Sequence, residues 1–295
     1  MSDFDLAVRR WREQAMHNAM RRMPPALCSK IGSYMGANVG PKIDPGGDRA
    51  VRAVVRLVRP DLEGAAHEAA VHRIWANIGR VFAEFSVLPK LLGRTELVGE
   101  DIAREVFSDP RPLIVVYPHL ANWEVLGALL CIHPAARDRR KCAIYAPQDD
   151  PVRAAIAEQC RAQFPADLIP QGPRIWKQFR ERLHEPRGSV FAPVDGTDPV
   201  GRRFPLFGRA PDHRGAVGKL IRVAAASGAR LLPTYCSRKP GARFTVTVMP
   251  PIDVPHGRLG PADTEAQIVR LNEIFEPLVR AGLDDWYMAV EAEVG

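Results

Sequence analysis

The chain has 295 residues, of which 46% are hydrophobic and 25% charged. Those proportions fit a globular protein and exclude a collagenous, disordered or coiled-coil chain. Lys and Arg number 41 against 34 Asp and Glu, a formal charge of +7, which suits an anionic partner: nucleic acid, a phosphate-bearing substrate or an anionic membrane face.

The first ninety or so residues read as helical. Phe4, Val8, Trp11, Ala15, Ala19 and Met23 recur at helical spacing, and Arg9, Arg10, Glu13, Arg21 and Arg22 fall largely elsewhere. Such an amphipathic helix suits a membrane interface or packing on its own domain. Its early charges argue against a signal peptide, and no run approaches 18 apolar residues, so no membrane-spanning helix is expected. Pro24-Pro25 ends the helix, Pro41–Asp48 reads as a loop, and Glu63–Leu92 carries a long helical pattern.

From about Thr95 strands alternate with helices. Strands are expected at Leu113–Tyr117, Ala143–Tyr145, Ser189–Ala192, Arg230–Tyr235 and Phe244–Val248. Helices are expected at Trp123–Ile132, Pro151–Phe164, Ile175–Leu183, His213–Ala226 and Thr264–Glu293. This order predicts an α/β fold, a central mostly parallel sheet flanked by helices, with helical N- and C-terminal extensions. The expected division is an N-terminal helical docking region (1–93), an α/β core (94–260) and C-terminal helices packed on it (261–295).

The five cysteines form no C-x-x-C pair, which disfavours a disulfide scaffold or zinc ribbon and fits a reducing, cytosol-facing location. His67-Glu68-Ala69-Ala70-Val71-His72 has one residue too many for the zinc motif H-E-x-x-H, and its histidines point apart on a helix. P-loop, G-x-S-x-G and G-x-G-x-x-G motifs are absent.

Two segments carry the candidate chemistry. His119-Leu120-Ala121-Asn122-Trp123-Glu124 directly follows the apolar strand at 113–117, where ligands of open α/β sheets bind. His119 is a ready proton acceptor, and Glu124, early in the next helix, is positioned to orient it. Asp195-Gly196 then makes a turn after a second apolar strand, followed by Arg202, Arg203, Phe207 and Arg209. Arginines at such an edge suit a phosphate clamp, or are simply solvated in a surface turn.

Together these segments resemble the bacterial lipid A biosynthesis acyltransferase family, within the wider glycerolipid acyltransferase superfamily. Pro118-His119-Leu120-Ala121-Asn122-Trp123-Glu124 is similar to the family's P-H-F-G-N-W-E, and Phe207-Gly208-Arg209-Ala210-Pro211 to its Phe-Gly-small-Pro stretch. The resemblance spans roughly Pro24 to Trp286. It implies a peripheral enzyme on the cytoplasmic face of the bacterial inner membrane, moving a fatty acyl chain from acyl carrier protein or coenzyme A to a hydroxyl or amine of a lipid. His119 would be the general base and Glu124 its orienter. Asn122, Trp123, Asp195, Gly196, Arg202, Arg203, Phe207 and Arg209 would bind substrate, with no metal, no cofactor beyond the acyl thioester and no nucleic acid. The chain departs from the family pattern in lacking an apolar spanning helix, in Gly196-Thr197 after the Asp, and in Ala146 after Tyr145. Lipid A, an aminolipid, a glycolipid or a lysophospholipid all stay open as acceptor, as does an inactive lipid-binding relative.

Overall fold

A computed structural model describes residues 3–145, 150–172, 174–198 and 200–292, without the side chains of residues 3–9 and Arg153. Ala146 and the Phe4 and Val8 side chains therefore lie outside the described residues.

The chain opens with helices α1 (Asp3–Arg22), α2 (Pro25–Ile43), α3 (Pro45–Val58), α4 (Gly64–Phe85) and α5 (Leu88–Leu92). The loop expected at Pro41–Asp48 shrinks to Asp44, which ends α2 and caps α3 by accepting from the Gly47 N–H at 2.8 Å. Proline suits the first turn of a helix, so Pro45 starts α3 rather than prolonging a loop. Strand β1 (Thr95–Val98) and helix α6 (Glu100–Ser108) follow, then β2 (Leu113–Tyr117), α7 (Trp123–Ile132), β3 (Arg140–Tyr145), α8 (Pro151–Arg161), β4 (Asp167–Pro170), α9 (Ile175–His184) and β5 (Gly188–Pro193). Helix α10 (Ala216–Ser227), strands β6 (Arg230–Lys239), β7 (Arg243–Val248) and β8 (Ile252–Asp253), and helix α11 (Pro261–Ala281) complete the order. The C-terminal helix expected to run to Glu293 stops at Ala281. Short 3-10 turns at Leu283–Asp285 and Tyr287–Val290 replace its end, and Glu293 lies outside the described residues.

The strands form one eight-stranded sheet, ordered β1-β7-β6-β2-β5-β3-β4, with β8 on β6. Every pairing is parallel except β6–β7 and β6–β8. β2 is buried along its whole length, as its unbroken apolar run requires. Its alternate residues feed two cores. Ile114 and Val116 pack with α3, α4, α10 and α11, whereas Leu113, Val115 and Tyr117 pack with α5, α6 and α7. This period-two division places a helical layer on each face.

α2 lies unusually close to α4. A Cβ at Gly36 would sit 2.2 Å from the Trp75 carbonyl, and one at Gly79 would sit 2.1 Å from the Gly32 carbonyl. The small residues of α2 are consumed by this crossing. Its larger ones, Leu27, Tyr34 and Met35, therefore face outward and are exposed. α1 does the same with Trp11, Ala15 and Ala19, and buries His17 instead through Ser86 Oγ at 2.9 Å. No helix among the described residues is long and apolar enough to cross a membrane.

Candidate active site

The site follows from strand register. β2 and β5 are parallel neighbours, and Tyr117 stands opposite Pro193. Two residues beyond each strand come His119 and Asp195, so the same register sets them face to face. Asp195 holds His119 twice. Its Oδ2 accepts the His119 backbone N–H at 2.8 Å, and its Oδ1 meets Nδ1 at 2.7 Å. An ionised carboxylate only accepts, so Nδ1 carries the proton and Nε2 keeps its lone pair. Trp286 Nε1 also donates to Asp195 Oδ2, at 2.8 Å. Asp195 is thus a buried anion with all its donors in place, and its side chain is 1% exposed.

The backbone around His119 is fixed by the C-terminal turns. Tyr287 N–H donates to the His119 carbonyl at 3.0 Å, Ala121 N–H donates to the Asp285 carbonyl at 2.9 Å, and Leu120 bridges to Trp286. Ala121 has φ of +51°, a left-handed conformation that costs a residue with a Cβ about 1 kcal/mol or more. Trp123 packs edge-on against the imidazole, with ring centroids 4.8 Å apart.

Glu124 occupies a different place from the one expected. The orienting hydrogen bond to His119 comes from Asp195, while the Glu124 carboxylate grips the Arg161 guanidinium of α8 through both oxygens. A forked guanidinium matches a carboxylate in two places at once, which an imidazole cannot do. Glu124 still lies near enough to favour the protonated imidazole by charge.

Asn122 is also corrected. It is fully buried and so touches no substrate. Its Oδ1 accepts from Val125 N–H at 3.3 Å, capping α7, and its Nδ2 donates to Glu84. Arg202 is committed to its own loop, beside Asp198 at 3.5 Å and Asp212 at 3.3 Å. It lines neither cavity described below. Sequence reasoning missed Arg161, Trp286, Tyr287, Glu84 and Arg238. Trp286 and Tyr287 lie in a stretch expected to be helical, and none of the five belongs to the two segments that carry the candidate chemistry.

A cavity of about 750 Å³ opens at His119. Glu124, Gly127, Ala128 and Cys131 form one stripe of α7 along it, and Phe164, Leu168 and Phe191 lie among its other walls. Trp123, Gly196, Lys219 and Tyr287 line it as well. A second cavity of about 310 Å³ is bounded by Asp195, Arg203, Phe207, Arg209 and Trp286. Phe207 sets its ring edge against Trp286, with centroids 5.5 Å apart. The decoy histidines do nothing here: His67 donates to the Arg52 carbonyl at 3.3 Å, and His72 is exposed.

An imidazole with one nitrogen pinned by a buried carboxylate, at the wall of a largely apolar cavity, is equipment suited to an enzyme that transfers acyl groups. The chain belongs to the bacterial lipid A biosynthesis acyltransferase family, whose model matches residues 6–290. Among curated proteins none matches it.

Burial alone would lower the His119 pKa, but the Asp195 carboxylate outweighs it and holds the imidazole above its ordinary value. Burial pushes Asp195 up, yet His119 charge and the hydrogen bonds from His119 and Trp286 hold it below the usual carboxylate range. The raised His119 pKa adds stability that is complete below about pH 6.5 and fades as pH rises through the folded value. The lowered Asp195 pKa adds stability that is complete above about pH 4 and fades as pH falls through its folded value. The stability gap between wild type and Asp195→Asn, read from urea midpoints, is therefore expected to peak between those limits and shrink on both sides. A gap that stays flat across the range would mean that neither group changes its titration on folding.

Proposed function

We propose that the protein moves a fatty acyl chain from an acyl carrier protein or coenzyme A thioester to a hydroxyl or amine of a lipid. The observation that carries this reading is the His119–Asp195 pair at the mouth of the apolar cavity. His119 Nε2 takes the proton of the acceptor as its oxygen or nitrogen attacks the thioester carbonyl. Asp195 fixes the tautomer and stabilises the imidazolium that results. Glu124, locked by Arg161, supports that positive charge from a distance. When the tetrahedral intermediate collapses, the C–S bond breaks and the thiolate leaves, taking the proton from His119. This scheme uses no metal and no cofactor beyond the thioester.

The larger cavity suits the acyl chain. Its α7 stripe from Glu124 to Cys131 runs about 10 Å at the helical rise. The second cavity, with Arg203 and Arg209 in its wall, suits an anionic headgroup of the acceptor. The acceptor is a membrane lipid: lipid A, or an aminolipid, glycolipid or lysophospholipid. The protein works as a peripheral enzyme at the cytoplasmic face of the bacterial inner membrane. The exposed Trp11, Met16, Leu27, Tyr34 and Met35 support that placement, with Arg12, Arg21, Arg22 and Lys30 exposed among them.

Three results test this reading. His119→Ala should lower the rate of thiol release from the acyl thioester roughly 100- to 10,000-fold; full activity would sink the mechanism. Gly127 is the second test, because a Cβ there would meet nothing within 4 Å. Gly127→Leu fills the cavity beside the chain and should move the preferred donor to shorter acyl lengths, measured by competition among thioesters. An unmoved preference would place the chain elsewhere. Finally, Leu27→Asp with Tyr34→Asp and Met35→Asp should weaken co-sedimentation with anionic phospholipid vesicles while leaving the urea midpoint near wild type. Equal sedimentation would return these helices to another role.

A further inference from the structure

Beneath the His119 loop lies a charged network that the reaction itself does not use. Glu84 of α4 has no solvent exposure. Its carboxylate is paired with Arg238 of β6, Nη1 to Oε1 at 2.5 Å and Nη2 to Oε2 at 3.0 Å. Arg238 Nε turns to Asp285 Oδ1 at 3.3 Å. Glu84 Oε2 also accepts from Asn122 Nδ2 at 3.0 Å. Neither Glu84 nor Arg238 lines either of the two cavities described above.

Stability does not explain this arrangement. A buried ion pair loses roughly as much hydration as it regains in attraction, and well-packed apolar side chains often serve as well. What the pair supplies is direction. One branch ends at Asn122, within the loop that carries His119. The other ends at Asp285, whose carbonyl takes the Ala121 N–H and whose neighbours Trp286 and Tyr287 bond to Asp195 and to the His119 carbonyl. Both segments that assemble the His119–Asp195 pair are thus tied to one guanidinium and one carboxylate. The tie also spans Ala121, whose left-handed backbone would relax if released.

We infer that Glu84 and Arg238 are positioning residues for acyl transfer, holding the strained His119 loop against Asp195 and Trp286 through Asn122 and Asp285. This rests on His119 being the base. The pair touches no substrate. It acts on the angle and distance at which Nε2 meets the acceptor, where a misplacement of about 1 Å costs on the order of 100-fold in rate.

The test is Glu84→Leu/Arg238→Met in the full chain, beside His119→Ala. The probe is dodecanoyl-coenzyme A or dodecanoyl-acyl carrier protein, whichever the wild type turns over, with a bacterial lipid extract as acceptor. The double variant leaves Asn122 Nδ2 and the Asp285 carboxylate without these partners, so its Tm is expected to fall, and activity is read per folded molecule. Its kcat should fall about 100-fold with little change in KM. The acid limb of its pH–rate profile should move to lower pH, because an imidazole loosened from Asp195 returns toward its ordinary pKa. A purely structural pair would leave kcat per folded molecule and the acid limb unmoved, and that result overturns the inference. If the double variant does not fold, Glu84→Gln is read by the same two measures, since it keeps an oxygen for Asn122 and removes the charge. An inactive His119→Ala beside a fully active folded double variant rejects the positioning role alone. An active His119→Ala rejects the base and the positioning role with it.

Discussion

Everything in the site depends on one parallel pairing. β2 and β5 run side by side in register, so the second residue past each strand meets the other. That places a carboxylate under an imidazole across 76 residues of sequence. A slip of one residue would turn the side chains of one strand to the opposite face and separate the pair. The apolar runs Leu113–Tyr117 and Gly188–Pro193 pin the register, because both strands are buried on both faces and have no alternative seat. Core packing and the geometry of the His119–Asp195 pair are therefore one constraint. The residues that fill the two cores also aim His119 at Asp195.

Much of the architecture is legible from local pattern. The strand at Leu113–Tyr117 and the helix at Trp123–Ile132 sit where periodicity puts them, and the alternation of elements implies a mostly parallel sheet. What local pattern does not carry is partnership. Glu124 stands close to His119 in sequence and looks like its orienter, but Arg161, also invisible as a motif, offers it a better match. Asn122 reads as a substrate contact because it stands in the family-like stretch Pro118–Glu124. In the fold it is buried and works as a helix cap and a strut. Asp195 was visible as a turn residue, while its grip on His119 required knowledge of which strands are neighbours. The end of the chain misled for another reason. Its spacing continues a helical pattern past Ala281, but backbone groups there are taken by the His119 loop, and tertiary bonding overrides propensity.

The charge of the chain also resolves into separate jobs. Many arginines are internal fasteners. Arg139 alone donates to the carbonyls of Phe107, Asp109 and Arg111 and to Ser189 Oγ. Arg161 is likewise spent on the partly buried Glu124 and Arg238 on the fully buried Glu84. Each such pair cancels one charge of either sign, so the formal charge of +7 survives the pairing and is carried by the other basic groups. The basic groups that remain outward on α1 and α2 stand among exposed apolar side chains, a mixture that suits a lipid surface better than a nucleic-acid backbone.

The turn at Leu283–Asp285 and the residues after it give this enzyme an order of assembly. Trp286 and Tyr287 come after every strand of the sheet in the chain, yet they close the hydrogen-bond circuit around His119 and Asp195. During synthesis the earlier part of a chain emerges and begins to fold first. The sheet can thus form while its histidine still lacks a complete setting. The setting is completed by the final turns, so a chain halted short of them is a sheet whose His119–Asp195 pair lacks the bonds from Trp286 and Tyr287.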